Sequence, residues 1–536
     1  MGRIGAARRP ATVAAAVVAV AAVAVLSGCA RSSSIDDPMW NGSSTPPPTA
    51  EATDRSTDDE PEARDGPQLP PTPPQPRVDV GFRMPRLSPE AAPGLVPRLA
   101  AMAQPGLTVV ARWATPQGAS ALGDLLDASI ANAVRAYAAQ RGLVWTPAVD
   151  IAPGGVGDAC APQPLTMVEG ASLTVDCAIV AAAGTTLGER IIVIHRDEVT
   201  APSLDRVTWY TDAATGELGD GAALYRAGAE ARVLGLIAEG LRAAGLAGVA
   251  DPFAGHTAAG IRTILADTVV TPDDFIVPMP LLGGSDSRGR LYVPVLVPAR
   301  LLAPFLSPFG AAVHAAIGGG APYDPETAPT GADSVDCTLV ACVSITFDDG
   351  PSSLTEDLVG MLRDLRAPAT FFLQGVAVER RPAVVRRLVA EGHQLGNHTW
   401  GHPQLTKLPD AEVRAEIDRT QAAITAASGV VPSMLRPPYG DLDQRVRDLA
   451  GLPIVVWDVD TKDWTTPGVD LVVERAVSWA ARGSIVLLHD THEETLEAVP
   501  DVIGGLRDRG FTFATVGEQF GGVLPAAGET VSHGPS

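Results

Sequence analysis

Thr346-Phe347-Asp348-Asp349-Gly350-Pro351 puts two adjacent carboxylates where a strand should stop. Val343 to Phe347 is a short, mainly apolar run, which predicts a buried β-strand, and Gly350-Pro351 ends it. Neighbouring like charges are costly unless a cation sits beside them. The downstream sequence can supply both a metal site and an arginine.

Working outward, strand and helix signals alternate from 335 to 522. Strand candidates are Cys342–Phe347, Ala369–Leu373, Gln394–Asn397, Met434–Arg436, Ile454–Asp458, Ser484–His489 and Phe511–Val516. Helical patterns separate most of them; Leu354, Leu358, Met361, Leu362 and Leu365 fit one face. Repeated βα units imply a parallel sheet, and seven strands suggest a closed or nearly closed barrel. Active sites of such barrels form at the C-terminal strand ends. There the sequence sets Asp348-Asp349, His398-Thr399-Trp400-Gly401-His402, Arg436-Pro437-Pro438-Tyr439, Asp460-Thr461-Lys462-Asp463-Trp464 and His489-Asp490.

His398 and His402 are four apart, which predicts one face of a helical turn and a shared metal. With one aspartate they make two imidazoles and a carboxylate, leaving room for water, the ligand set of a catalytic zinc-type site. A zincin reading fails because no Glu follows His398.

The runs TFDDGP, HTWGH, RPPYG, DTKDW and LLHD, in this order, resemble the five motifs of the polysaccharide deacetylase family, carbohydrate esterase family 4 or NodB homology domain. The resemblance implies a distorted (β/α)7-type barrel and a metal-dependent deacetylase. It implies that Asp349, His398 and His402 hold a divalent metal: zinc, with cobalt or nickel as alternatives. Asp348 would be the general base, oriented by Arg436. Tyr439 would offer its backbone N–H to the oxyanion. His489 would be the acid, tuned by Asp463. Trp464 and Leu487 would line the pocket for the acetyl methyl group. Peptidoglycan N-acetylglucosamine is the expected substrate, with N-acetylmuramic acid also open. Alternatives are an O-deacetylase on xylan or another acetylated glycan, and a non-catalytic wall-binding protein.

The remainder of the 536 residues divides by composition. Residues 1–29 carry Arg3, Arg8 and Arg9, then an apolar run from Ala11 to Leu26, short of the roughly 20 residues that span a bilayer. The run ends Leu26-Ser27-Gly28-Cys29, which resembles a bacterial lipoprotein signal. Lipidation of Cys29 would anchor the chain to the outer face of the membrane. Residues 30–78 hold eleven prolines and an acidic excess, and are expected to be a disordered tether.

Residues 79–325 mix strand-like runs with helical runs such as Ala121–Gln140, which predicts an α+β domain. Its stretch Asp274 to Phe309 resembles a domain of unknown function. That domain precedes the deacetylase in some envelope enzymes and forms the extracellular part of some anti-sigma factors. Residues 523–536 are polar and are expected to be a disordered tail. Of the five cysteines, Cys160, Cys177, Cys337 and Cys342 remain after Cys29. An even number in an exported chain suggests two disulfides; local pairing is economical, although three connectivities are possible. A net charge of −22 argues against nucleic-acid binding by charge.

Overall fold

A computed structural model describes residues 74–535, apart from 117–119, 153–154, 158–159, 161–170, 198–202, 249, 252–257, 282–291 and 325–334. The leader, Cys29 and residues 30–73 of the expected tether lie outside the described residues.

The N-terminal part contains β1 (Arg77–Val78), β2 (Leu95–Gln104), β3 (Leu107–Pro116), β4 (Ala171–Ala183), β5 (Thr186–Arg196), β6 (Ser203–Asp212), β7 (Glu217–Asp220), β8 (Val269–Val270), β9 (Asp274–Pro280) and β10 (Tyr292–Pro298). Its helices are α1 (Ala121–Ala139), α2 (Glu230–Ala243), α3 (Ala258–Ala266), α4 (Ala299–Leu302) and α5 (Pro308–Gly319). Strands β2 to β7 form one sheet in chain order, and β1-β10-β9-β8 a second. Among the described residues of these sheets only β3 and β4 pair in parallel; α1 lies in the crossover, with Ser120 capping it by accepting from the Gly123 N–H. The Arg77 and Val78 end of the expected tether is ordered, because β1 pairs with β10 and Arg77 bonds Asp274.

Cys160 pairs with Cys177 and Cys337 with Cys342, the two local bridges among the possible connectivities. Beside the first bridge lies Glu189, fully buried in β5. Its Oε1 accepts from the Ala114 N–H at 3.1 Å, and its Oε2 has no partner among the described residues. Burial pushes its carboxyl up to about 8 from an ordinary 4.5. The unfolded chain therefore binds fewer protons between these values. Stability is fully present below about 4.5 and is lost as pH rises through about 8. Glu189→Gln is expected to leave acid stability unchanged and to add on the order of 5 kcal/mol at the alkaline end, at about 1.36 kcal/mol per pH unit. Urea midpoints across this range check it; a pH-independent difference would refute it.

The C-terminal part contains β11 (Cys342–Asp348), β12 (Thr370–Leu373), β13 (Gln394–Asn397), β14 (Ile454–Val455), β15 (Val459–Asp460), β16 (Ile485–His489), β17 (Thr512–Phe513) and β18 (Thr530–Val531). Around them lie α6 (Thr355–Asp364), α7 (Gly375–Arg380), α8 (Pro382–Ala390), α9 (Asp410–Ser428), α10 (Gln444–Ala450), α11 (Val469–Trp479), α12 (Glu493–Arg509) and α13 (Val516–Gln519). The sheet runs β13-β12-β11-β16-β15, all parallel, and β17 pairs with the start of β11. Bridges Asn397–Leu435 and Leu435–Ile454 carry the wall on to β14. The fourth expected strand shrinks to Leu435 because Pro432 and Pro437-Pro438 flank it and cannot donate to a ladder.

Strand β11 is central and buried throughout, so its polar side chains need internal partners. Ser344 Oγ donates to the Ala514 carbonyl and Thr346 Oγ1 to that of Val486. Residues 523–535 are not the expected disordered tail. Strand β18 pairs with β14, and the Gly534 N–H donates to Gly483. An open edge at β14 offers unpaired backbone groups, and the tail satisfies them despite its polarity.

The N-terminal part grips the barrel on one side. Trp145 Nε1 donates to the Leu339 carbonyl at 3.1 Å, the Val156 N–H to Arg507 at 2.9 Å, and Arg509 pairs with Asp150 at 2.8 Å. Arg366 bonds the Leu95 carbonyl. Each barrel residue here lies just upstream of a strand, so the opposite rim stays open.

Candidate metal and catalytic site

That open rim begins where β11 ends. Asp348 is the last strand residue, and Asp349 takes a left-handed φ of 76°, which breaks the strand and separates the two carboxylates. Gly350 must be glycine: a Cβ there would lie 2.0 Å from Asp490 Oδ2.

Asp349 Oδ1 lies 3.5 Å from His398 Nε2 and 3.3 Å from His402 Nε2. Ligand atoms of the three residues fall within 4.8 Å of one another. Among the described residues the other such trio is Cys160, Cys177 and Glu189, whose sulfurs are bonded to each other. His398 Nδ1 is 2.7 Å from the Arg436 carbonyl, so it is the donor and leaves the Nε2 lone pair facing Asp349. His402 Nδ1 meets the Tyr439 hydroxyl at 3.1 Å. The donor set and its outer bonds suit a divalent cation. Burial and the neighbouring His398 lower the His402 pKa, against the pull of Asp349 and Asp348. Burial raises the Asp349 carboxyl, but the two imidazoles and Gln374 outweigh it and the net shift is downward.

The two histidines do not share a helical turn. They sit on a loop in which Thr399 and His402 have φ of 64° and 61°. Bonds from the Thr399 N–H to Asn397 Oδ1 and from the Gly401 N–H to Glu416 replace helical ones. Such left-handed residues gather at this rim, with Asp349, Tyr439 and Lys462 added, and this stored strain is a mark of functional loops.

Asp348 borders the trio but is committed to Arg436. Its Oδ1 accepts from Arg436 Nη1 at 2.8 Å, and its Oδ2 is 3.7 Å from His398 Nε2. Arg436 is fully buried and spends its other N–H groups on Thr346 Oγ1 and the carbonyls of Val455 and Val456. Burial lowers its pKa and Asp348 opposes the shift.

Across the rim, His489 ends β16 and its Nδ1 is 2.8 Å from Asp463 Oδ1. Asp463 also accepts from the His489 N–H and Thr495 Oγ1, each at 2.7 Å. Burial raises the Asp463 carboxyl, and these bonds more than reverse it. Burial lowers the His489 imidazole, but the Asp463 bond and charge, with Asp348 and Asp349, bring it up to about 9. Trp464 is 55% exposed and Leu487 is buried beneath the rim. Tyr439 is 63% exposed, in the tight turn Pro438–Gly440.

Two contributors have no role in the reading from sequence: Gln374, which carries no charge or spacing signal, and Asp490, which enters there only as a polar residue after His489. Gln374 follows β12 and donates from Nε2 to Asp349 Oδ1 at 2.7 Å. Its position at a C-terminal strand end was the available clue. Asp490 is buried behind Gly350 and bonded to Thr355, and burial pushes its carboxyl up to about 7.

The family model described as polysaccharide deacetylase matches residues 336–452. A Listeria monocytogenes peptidoglycan-N-acetylglucosamine deacetylase is 40% identical over 180 residues, 33% of this chain and 39% of that one. The chain thus spans well under half the length of that relative. A family 4 carbohydrate esterase from Streptomyces lividans, solved with acetate, is 37% identical; the match covers 35% of this chain and 97% of that one, with a TM-score of 0.33. A chitooligosaccharide deacetylase from Bradyrhizobium is 39% identical over 188 residues, 32% of this chain and 86% of that one. With so much of that relative's length matched, the chain belongs to the polysaccharide deacetylase family.

Proposed function

We propose that residues 335–522 form a metal-dependent N-deacetylase that removes acetyl groups from an envelope polysaccharide, peptidoglycan N-acetylglucosamine first. The observation that carries this is the separation of charges at one rim: Asp349 with two imidazoles, Asp348 with buried Arg436, and His489 with Asp463. A divalent cation held by Asp349, His398 and His402, with zinc favoured over cobalt or nickel, would supply Lewis acidity and a lowered water pKa.

The side chains would do the rest. Asp348 takes a proton from water, and the hydroxide oxygen attacks the acetamide carbonyl. The Tyr439 N–H receives the developing oxyanion. His489, protonated through Asp463, donates to the departing nitrogen as the C–N bond breaks. Acetate and a free amine result. Trp464 and Leu487 enclose the methyl group. A non-catalytic wall-binding role would need neither Asp348 nor His489 in these charge pairs.

Peptidoglycan is supported by the names of the Listeria and other relatives and by the leader ending in Cys29, which would put the enzyme on the outer face of the membrane. The test is to incubate the zinc-loaded protein with purified peptidoglycan, digest with a muramidase, and weigh the muropeptides. Loss of one acetyl group per N-acetylglucosamine, with matching free acetate, is expected. Release from acetylated xylan but none from peptidoglycan would overturn the substrate.

A further inference from the structure

We infer that Gln374 is a positioning residue that clamps the metal-binding aspartate and joins the two loops carrying the ligands; this rests on the metal reading above. Asp349 Oδ1 is the oxygen that faces both imidazole Nε2 atoms, and it is also the one that accepts from Gln374 Nε2. An oxygen so shared has its direction fixed, because rotating the carboxylate away from the histidines breaks the bond at 2.7 Å. Arg436 and Tyr439 hold the two imidazoles from behind. Gln374 does the same for the third ligand, and as a neutral amide it orients without adding charge.

The backbone around it is equally committed. The Gln374 N–H donates to the Gly350 carbonyl at 3.0 Å, on the aspartate loop. The next two N–H groups, of Gly375 and Val376, donate to Thr399 and Trp400 at 3.0 and 3.1 Å, on the histidine loop. A Cβ at Gly375 would lie 2.3 Å from Trp400 Cε3, so the chain passes as close to that loop as glycine allows. Residues 374–376 therefore bridge both halves of the site, and the Gln374 side chain carries that alignment to the ligand oxygen itself.

The test compares Gln374→Met, which keeps length and loses the donor, with the wild type and with a His398→Ala, His402→Ala double variant. Zinc affinity is measured by competition with a chromophoric chelator. Thermal unfolding is followed in excess chelator, where no metal contributes. Gln374→Met is expected to bind zinc about 10–100-fold more weakly, the usual effect of losing an outer partner, with an unchanged metal-free melting temperature. Unchanged affinity overturns the clamp while leaving the metal reading intact. A weakened affinity matched by a lower metal-free melting temperature also overturns it, as a general packing role. A wild type that takes up no more zinc than the double variant overturns the metal reading and this inference together.

Discussion

Asp348→Asn is expected to cut acetate release by about 10²–10⁴-fold, the range a general base contributes, with zinc stoichiometry unchanged. Asparagine keeps the shape and an oxygen for the Arg436 Nη1 bond, now 2.8 Å to Asp348 Oδ1, but cannot take a proton from water. The metal trio is untouched, because Asp349 supplies its carboxylate from the other side of the strand break. A second consequence follows from burial. Arg436 has no exposed side-chain surface, and Asp348 is the only carboxylate within ion-pair distance of it among the described residues. Losing one partner of such a pair costs roughly 3–5 kcal/mol, so the melting temperature should fall as well. The carbonyls of Val455 and Val456 and the Thr346 hydroxyl still hold the guanidinium, which should keep the fold. Rates are therefore compared well below the transition, with metal content measured on the same sample. The loss should fall on kcat and spare KM, since the base acts in the transition state. Activity within tenfold of wild type at full metal occupancy would assign the base elsewhere.

How far the sequence could be read depended on the kind of interaction. Charged residues at strand ends were legible, because a carboxylate or imidazole following an apolar strand has few bland explanations. Asp348, Asp349, His398, His402, Arg436, Asp463 and His489 all meet at one rim for that reason. Local conformation was less so. The spacing of His398 and His402 fits a helical turn, yet the Asn397 side chain takes the Thr399 N–H and turns the chain into a left-handed loop. Polarity misled at the C-terminus, where the backbone of Thr530–Val531, not its side chains, answers the edge of β14. Gln374 was silent because an amide in an apolar neighbourhood looks like a surface residue until Asp349 is seen beside it. The two N-terminal sheets could be anticipated only as a mixture of strands and helices, because their long-range pairings leave no local trace.

Asp463→Asn should show its largest effect in the pH profile. In the wild type His489 is raised to about 9 from an ordinary 6.5, so the acid stays protonated through neutral pH. Its pairing stabilises the fold fully below about 6.5, and that stabilisation is lost as pH rises through about 9. A bound divalent cation would repel the imidazolium and lower the folded value, without removing the Asp463 contribution. In the variant the carboxylate's charge is gone, and burial pulls the imidazole down against the remaining pull of Asp348 and Asp349. The alkaline limb of kcat should therefore move to lower pH. The rate lost should be on the order of 10²-fold or more above neutrality and smaller on the acid side, where protonation of His489 recovers part of it. Orientation adds to the loss: Asp463 Oδ1 accepts from Nδ1, and an asparagine that presents its amide nitrogen there would turn the imidazolium out of place. Profiles of kcat against pH at saturating zinc separate the two effects, since a titration effect is recovered at low pH and a misoriented ring is not. An alkaline limb in the same place for both proteins would remove His489 from the role of acid, because a histidine raised by Asp463 cannot keep its pKa when Asp463 loses its charge.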